Sequence, residues 1–212
     1  NVGVGYFALK ANTTGTGNVA MGNNALDTNT TGSLNTAIGA NALTAVTTGS
    51  DTVAVGANAL IALTTGAGNV GVGHDALGTV TTGTSSTAVG FQALLSNTAS
   101  NNTAVGYQSL ITNSTGTLNV AVGASALDAN TTADNNTAVG GNALSANTTG
   151  HSNVAVGSAS LNANTTANNN TAVGRAALAA NTTGASNVAV GQSALAANTT
   201  ASNNNALGSG AM

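Results

Sequence analysis

A glycine closes a short apolar phrase every 17 residues along this chain. Asn18-Val19-Ala20-Met21-Gly22 returns as Asn35-Thr36-Ala37-Ile38-Gly39, and then as Thr52-Val53-Ala54-Val55-Gly56. The closing glycines run from Gly5 to Gly208 at intervals of 17, save one of 16 between Gly90 and Gly106. The missing residue falls near Ala99 and Ser100, where the usual Thr-Thr-Gly is altered. A second phrase follows each glycine: two variable residues, Ala-Leu, two more, then Asn-Thr-Thr-Gly. From about Asn119 the copies alternate in pairs, giving a longer period of 34. Self-similarity at a fixed short period is the mark of a solenoid, in which each unit buries its apolar surface only against its neighbours.

The phrases themselves argue against a helical solenoid. Gly, Asn and Thr are weak helix formers, and a glycine recurs in every copy. Val-Ala-Val alternates with period two, as a half-buried strand does. The expected fold is therefore all-β: a parallel β-solenoid, or β-roll, of about 12 coils. Each coil has room for two short strands and two turns, with coils stacked about 4.8 Å apart. Asn and Thr recurring in register are expected to form side-chain ladders along the stack. The Gly after Thr-Thr is expected to supply a turn position with positive φ. No linker or composition shift interrupts the array, so residues 1–212 read as one domain. The chain opens in mid-pattern at Asn1, and reads as a fragment of a longer fibre.

The repeat columns predict an interior. The residue before each closing glycine is always aliphatic, and Met21, Ile38, Val55, Val72 and Val89 are expected to form one core row. The unbroken Leu column, including Leu26, Leu43, Leu60, Leu77 and Leu94, is expected to form the other. Between these rows runs a column of obligate small residues: Ala20, Ala37, Ala54, Gly71, Ala88, Ala104, Ala121, Ala138, Ala155, Ala172 and Ala189. Strand geometry turns this column away from the aliphatic row. A column facing water would drift to Lys, Glu or Thr. Its constancy predicts close approach by another backbone, either a second chain or a folded-back part of the same coil, and the first, an inter-chain packing column in a multi-chain fibre, is favoured.

Composition narrows function. Charged residues make up 3% of the chain, against about 25% in ordinary proteins. The net charge of −3 argues against a basic nucleic-acid footprint and against a polybasic membrane patch. No apolar run approaches the ~20 residues that span a bilayer. Without Cys there are no disulfides or thiolate metal sites.

Asn102-Thr103-Ala104-Val105-Gly106-Tyr107-Gln108-Ser109-Leu110 resembles repeats of phage tail-fibre and surface proteins. Asn-x-Ala-(Val/Ile)-Gly is similar to the head repeats of trimeric autotransporter adhesins of the YadA type. The resemblance covers essentially the whole chain, with a period longer than is usual in YadA-type heads. It implies a left-handed β-roll assembled as a trimer, placed outside the cell on a virion tail fibre or a bacterial surface.

Chemistry-bearing residues are sparse. Asp27, Asp51, Asp75, Asp128, Asp134, His74 and His151 are scattered among the coils, and His74-Asp75 is the one adjacent pair. In a strand those two would point to opposite faces. The reading is of a non-enzymatic chain with no catalytic residues, no metal and no cofactor. The positions after the strand glycine vary most. Tyr6, Phe7, His74, Phe91, Tyr107 and Arg175 there are candidate contacts for a cell-surface glycan or protein receptor. Val46, Leu63 and Val80 replace the turn Asn in three successive copies, either as a surface patch or packed inward.

Three functions compete on these features. The first is a stiff spacer and adhesive segment of a homo-oligomeric fibre, a trimer being favoured. The second is a filament polymerised end to end through open strand edges. The third is an ice-binding solenoid using Thr13, Thr30, Thr47 and Thr64. It ranks last, because adjacent Thr residues face opposite ways instead of forming two ranks.

Overall fold

A computed structural model describes residues 1–212. The chain is all-β and divides into two compact units of the same construction, Asn1–Asn102 and Thr103–Met212. The division falls in the 16-residue coil. The first unit holds β1 (Val2–Val4), β2 (Val19–Met21), β3 (Thr36–Ile38), β4 (Val53–Val55), β5 (Val70–Val72) and β6 (Thr87–Val89). The second holds β7 (Thr103–Val105), β8 (Val120–Val122), β9 (Thr137–Val139), β10 (Val154–Val156), β11 (Thr171–Val173), β12 (Val188–Val190) and β13 (Asn205–Leu207). Within each unit successive strands pair in parallel, so that Ala20 lies opposite Ala37 and Ala155 opposite Ala172. The fold is a parallel β-solenoid of about 12 coils with 17-residue spacing.

Each coil has one strand of three residues, not two strands. The rest is a succession of turns, because its backbone alternates into the left-handed region. Asn142 and Leu144 have φ of 54° and 55°. Their N–H groups donate to neighbouring coils on opposite sides: Asn142 to the Ala124 carbonyl (3.0 Å) and Leu144 to the Ser160 carbonyl (2.9 Å). Backbone pairing thus continues round the coil without a second extended strand. Every Leu of the column from Leu9 to Leu195 has φ between 49° and 57°. Such a conformation costs about 1–3 kcal/mol for a residue with a side chain. Full burial of a leucine, worth about 1.5–3 kcal/mol, offsets it.

The strand faces are the reverse of the sequence expectation. The Ala column is the interior: Ala20, Ala37, Ala54, Ala88, Ala104, Ala121, Ala138, Ala155, Ala172 and Ala189 have no exposed surface, and Gly71 is buried with them. It is not an inter-chain column. The aliphatic row points outward instead. Met21 and Ile38 are exposed, and Val55, Val72 and Val89 are half-buried. The Leu column, with Leu26, Leu43, Leu60, Leu77 and Leu94, is completely buried.

The physical reason is the thinness of the coil. A Cβ built at Gly71 would lie 3.1 Å from Leu60 Cδ1 and 3.3 Å from the Ala76 carbonyl oxygen. The Leu side chains from the turn wall fill the interior up to the strand, leaving space for a methyl group and no more. The backbone that approaches the small column is the chain's own.

Glycine roles also differ from expectation. Gly after Thr-Thr has no positive φ; it is buried, as are Ala133 and Ala167 at the same position. The strand-closing glycines carry the unusual conformation, with φ of 130° at Gly174 and 134° at Gly56.

This arrangement predicts an inverted mutational pattern. Ala138→Leu would overpack the interior and destabilise by about 1–3 kcal/mol. Val139→Thr, pointing outward, would stay within about 0.5 kcal/mol of wild type. Thermal unfolding followed by circular dichroism distinguishes the two; a larger loss for Val139→Thr would refute the interior described here.

Candidate functional site

Two buried Asn ladders position the surface. In the first, the residue before each strand bonds both to its neighbour and across the coil. The Asn136 N–H donates to Asn119 Oδ1 (3.0 Å), and Asn136 Nδ2 donates to the Gly150 carbonyl (2.9 Å). The second ladder uses the Asn of Asn-Thr-Thr. Asn147 Nδ2 donates to Asn130 Oδ1 (3.1 Å) and to the Gly150 carbonyl (2.8 Å); Asn164 Nδ2 donates to Asn147 Oδ1 (3.0 Å). All these Asn residues are fully buried.

The second ladder has a direction: each amide donates to the preceding coil. A break therefore strands an acceptor on the N-terminal side. Val46, Leu63 and Val80 make such a break and pack inward with no exposed surface. Asn29 Oδ1 precedes them, and is buried without a hydrogen-bond partner.

A third ladder engages Thr hydroxyls. Thr13, Thr30, Thr47 and Thr64 donate to the carbonyls of Thr30, Thr47, Thr64 and Thr81 at 2.9, 3.0, 3.3 and 3.0 Å. These hydroxyl protons are committed inside the stack, which weakens the Thr-row basis for ice binding.

Against this frame the variable column forms a corner just after each strand. In the first unit it gathers two clusters. Tyr6 and Phe7 lie with ring centroids 3.9 Å apart, and Lys10 Nζ sits 4.0 Å over the Phe7 ring. His74 Nδ1 lies 2.9 Å from Asp75 Oδ2, and the His74 ring stacks on Phe91 at 5.6 Å. The expectation that His74 and Asp75 point apart fails, because they lie in a turn and not in a strand. Both clusters leave aromatic surface exposed. In the second unit Tyr107 and Arg175 are exposed in different coils. Burial pushes the Asp128 carboxyl above the ordinary range, against backbone hydrogen bonds that lower it. Its contribution to stability accordingly falls as pH rises through that raised value.

The surface that sequence reasoning missed is the outer face of the sheet. Residues flanking each central Ala form two ranks, mostly Val or Thr before it and aliphatic after it. The signal was present: the column that never drifts is the enclosed one, so its flanking neighbours face out.

No family model, curated protein or solved structure matches the chain.

Ladder direction gives a paired prediction. Asn147→Val leaves Asn130 Oδ1 buried without its donor and would cost about 1–3 kcal/mol. Asn29→Val removes an acceptor that is already orphaned and transfers the loss to half-buried Asn12, within reach of water. It would be neutral or stabilising. Denaturant unfolding of the two variants checks this; equal losses would refute the directional account.

Proposed function

We propose that this chain is a structural and adhesive segment of an extracellular fibre: a stiff spacer, from a phage tail fibre or a bacterial surface adhesin, with receptor contact through its corner residues. The observation that carries this reading is the contrast between frame and corner. Backbone ladders, Asn ladders and the Leu row repeat from coil to coil with few exceptions, whereas the position after the strand glycine holds Tyr6, His74, Phe91, Tyr107 or Arg175 in different copies. A constant frame with a freely varied exposed position suits a scaffold that displays contacts, and exposed aromatic rings suit glycan or protein partners. The resemblance of the repeat phrases to tail-fibre and YadA-type repeats supports the same reading.

Assembly of several copies, three being favoured, belongs to this proposal. The enclosed Ala column offers it nothing, so copies would meet through outward-facing residues.

The direct test is binding of the labelled full chain to bacterial cells and to an array of surface glycans. Wild type is expected to bind, and Phe91→Ala combined with His74→Ala is expected to weaken binding at least tenfold with unchanged circular dichroism. Wild-type binding that survives this pair would remove the contact at the His74–Phe91 cluster, and absence of any binding would leave only the spacer role. Light scattering that returns a monomer mass would remove the trimer.

A further inference from the structure

The outer face of the sheet is explained neither by the core nor by the corner. In the second unit Thr137, Val154 and Thr171 stand in one rank, and Val139, Val156 and Val173 in the other. Their strands pair residue to residue, and all six side chains are half-buried. Neither rank contains a charged residue. Parallel pairing sets a repeat of about 4.8 Å along each rank and about 6.7 Å between ranks.

The extent of this face decides what it can hold. Seven strands, each three residues wide, cover about 340 Å². A stable protein pair needs about 800 Å² on each partner. The face of one unit, taken alone, falls short of that area; it is a contiguous, uncharged patch within the size range of the largest patches on monomers, which are often functional. Regularity compensates for small area only when the partner is equally regular.

We propose that this face binds the surface of ice. Methyl groups of Val and Thr order the water beside them. Here they are held on a two-way grid whose short repeat of about 4.8 Å is close to the lattice repeat of hexagonal ice, which is longer than the distance between neighbouring water oxygens. In this unit a Thr hydroxyl at alternate coils offers that water a donor and an acceptor. A crystal surface repeats indefinitely, so weak contacts add in register. The recognition surface is the sheet face, and not the row of Thr13, Thr30, Thr47 and Thr64, whose hydroxyls donate within the stack. This activity does not depend on the fibre reading.

The test measures thermal hysteresis and inhibition of ice recrystallisation by the full chain, with light scattering alongside. Wild type is expected to show both activities. Val156→Lys, on the sheet face, is expected to lose at least half of the hysteresis, and Thr149→Lys, on an exposed turn, to retain it; circular dichroism confirms the fold of each. Wild type without either activity would overturn the proposal, as would equal or greater loss in Thr149→Lys. An oligomer that Val156→Lys dissociates would also overturn it, by assigning the face to a second copy.

Discussion

Coil-to-coil contact at the strand-closing glycine is the constraint on which the rest depends. A Cβ built at Gly174 would lie 2.5 Å from the Gly191 carbonyl oxygen and 2.6 Å from its carbon. No residue with a side chain fits there, whatever its conformation, and the φ of 130° excludes most of them independently. That contact sets where the strand stops and where the turns begin. Once the chain turns at this point, the central strand residue faces the Leu wall, as Gly71 faces Leu60. The thin interior, the small column and the outward aliphatic ranks all follow.

Inside so narrow a coil, apolar burial alone is limited, and buried Asn side chains complete the interior. Their carboxamides are satisfied by one neighbouring coil and by the chain's own turn, so every coil is specified by the one beside it. Stability of this kind accumulates through nearest-neighbour terms. It is also sensitive to direction: one apolar substitution strands an acceptor on one side only, as Asn29 records.

Period, fold class and parallel pairing were legible in the sequence, because a 17-residue repeat with period-two apolar phrases leaves few alternatives. The Leu column was legible for the same reason. Which side of the strand faced inward was misread by ranking residues on size, since Val is larger and more apolar than Ala. Constancy was the better guide: Val, Met and Ile interchange at the outward position, whereas Ala yields only to Gly. Two features lay beyond sequence reasoning. Left-handed Leu residues turn the second wall into turns, and nothing in Leu itself signals positive φ. The proximity of His74 to Asp75 follows from that turn geometry. Candidate receptor contacts were found as variable positions, but their grouping into two clusters required the coil.

One-to-one register has an evolutionary consequence. Each joint between coils within a unit presents nearly the same backbone and side-chain partners to the next, as Ala138 opposite Ala155 and Ala155 opposite Ala172 illustrate. Unequal recombination between copies would therefore add or delete whole coils, and the junction formed would match those already present. The length of such a chain becomes a heritable variable changed in steps of 17 or 34 residues, while the corner positions diverge copy by copy with little effect on folding.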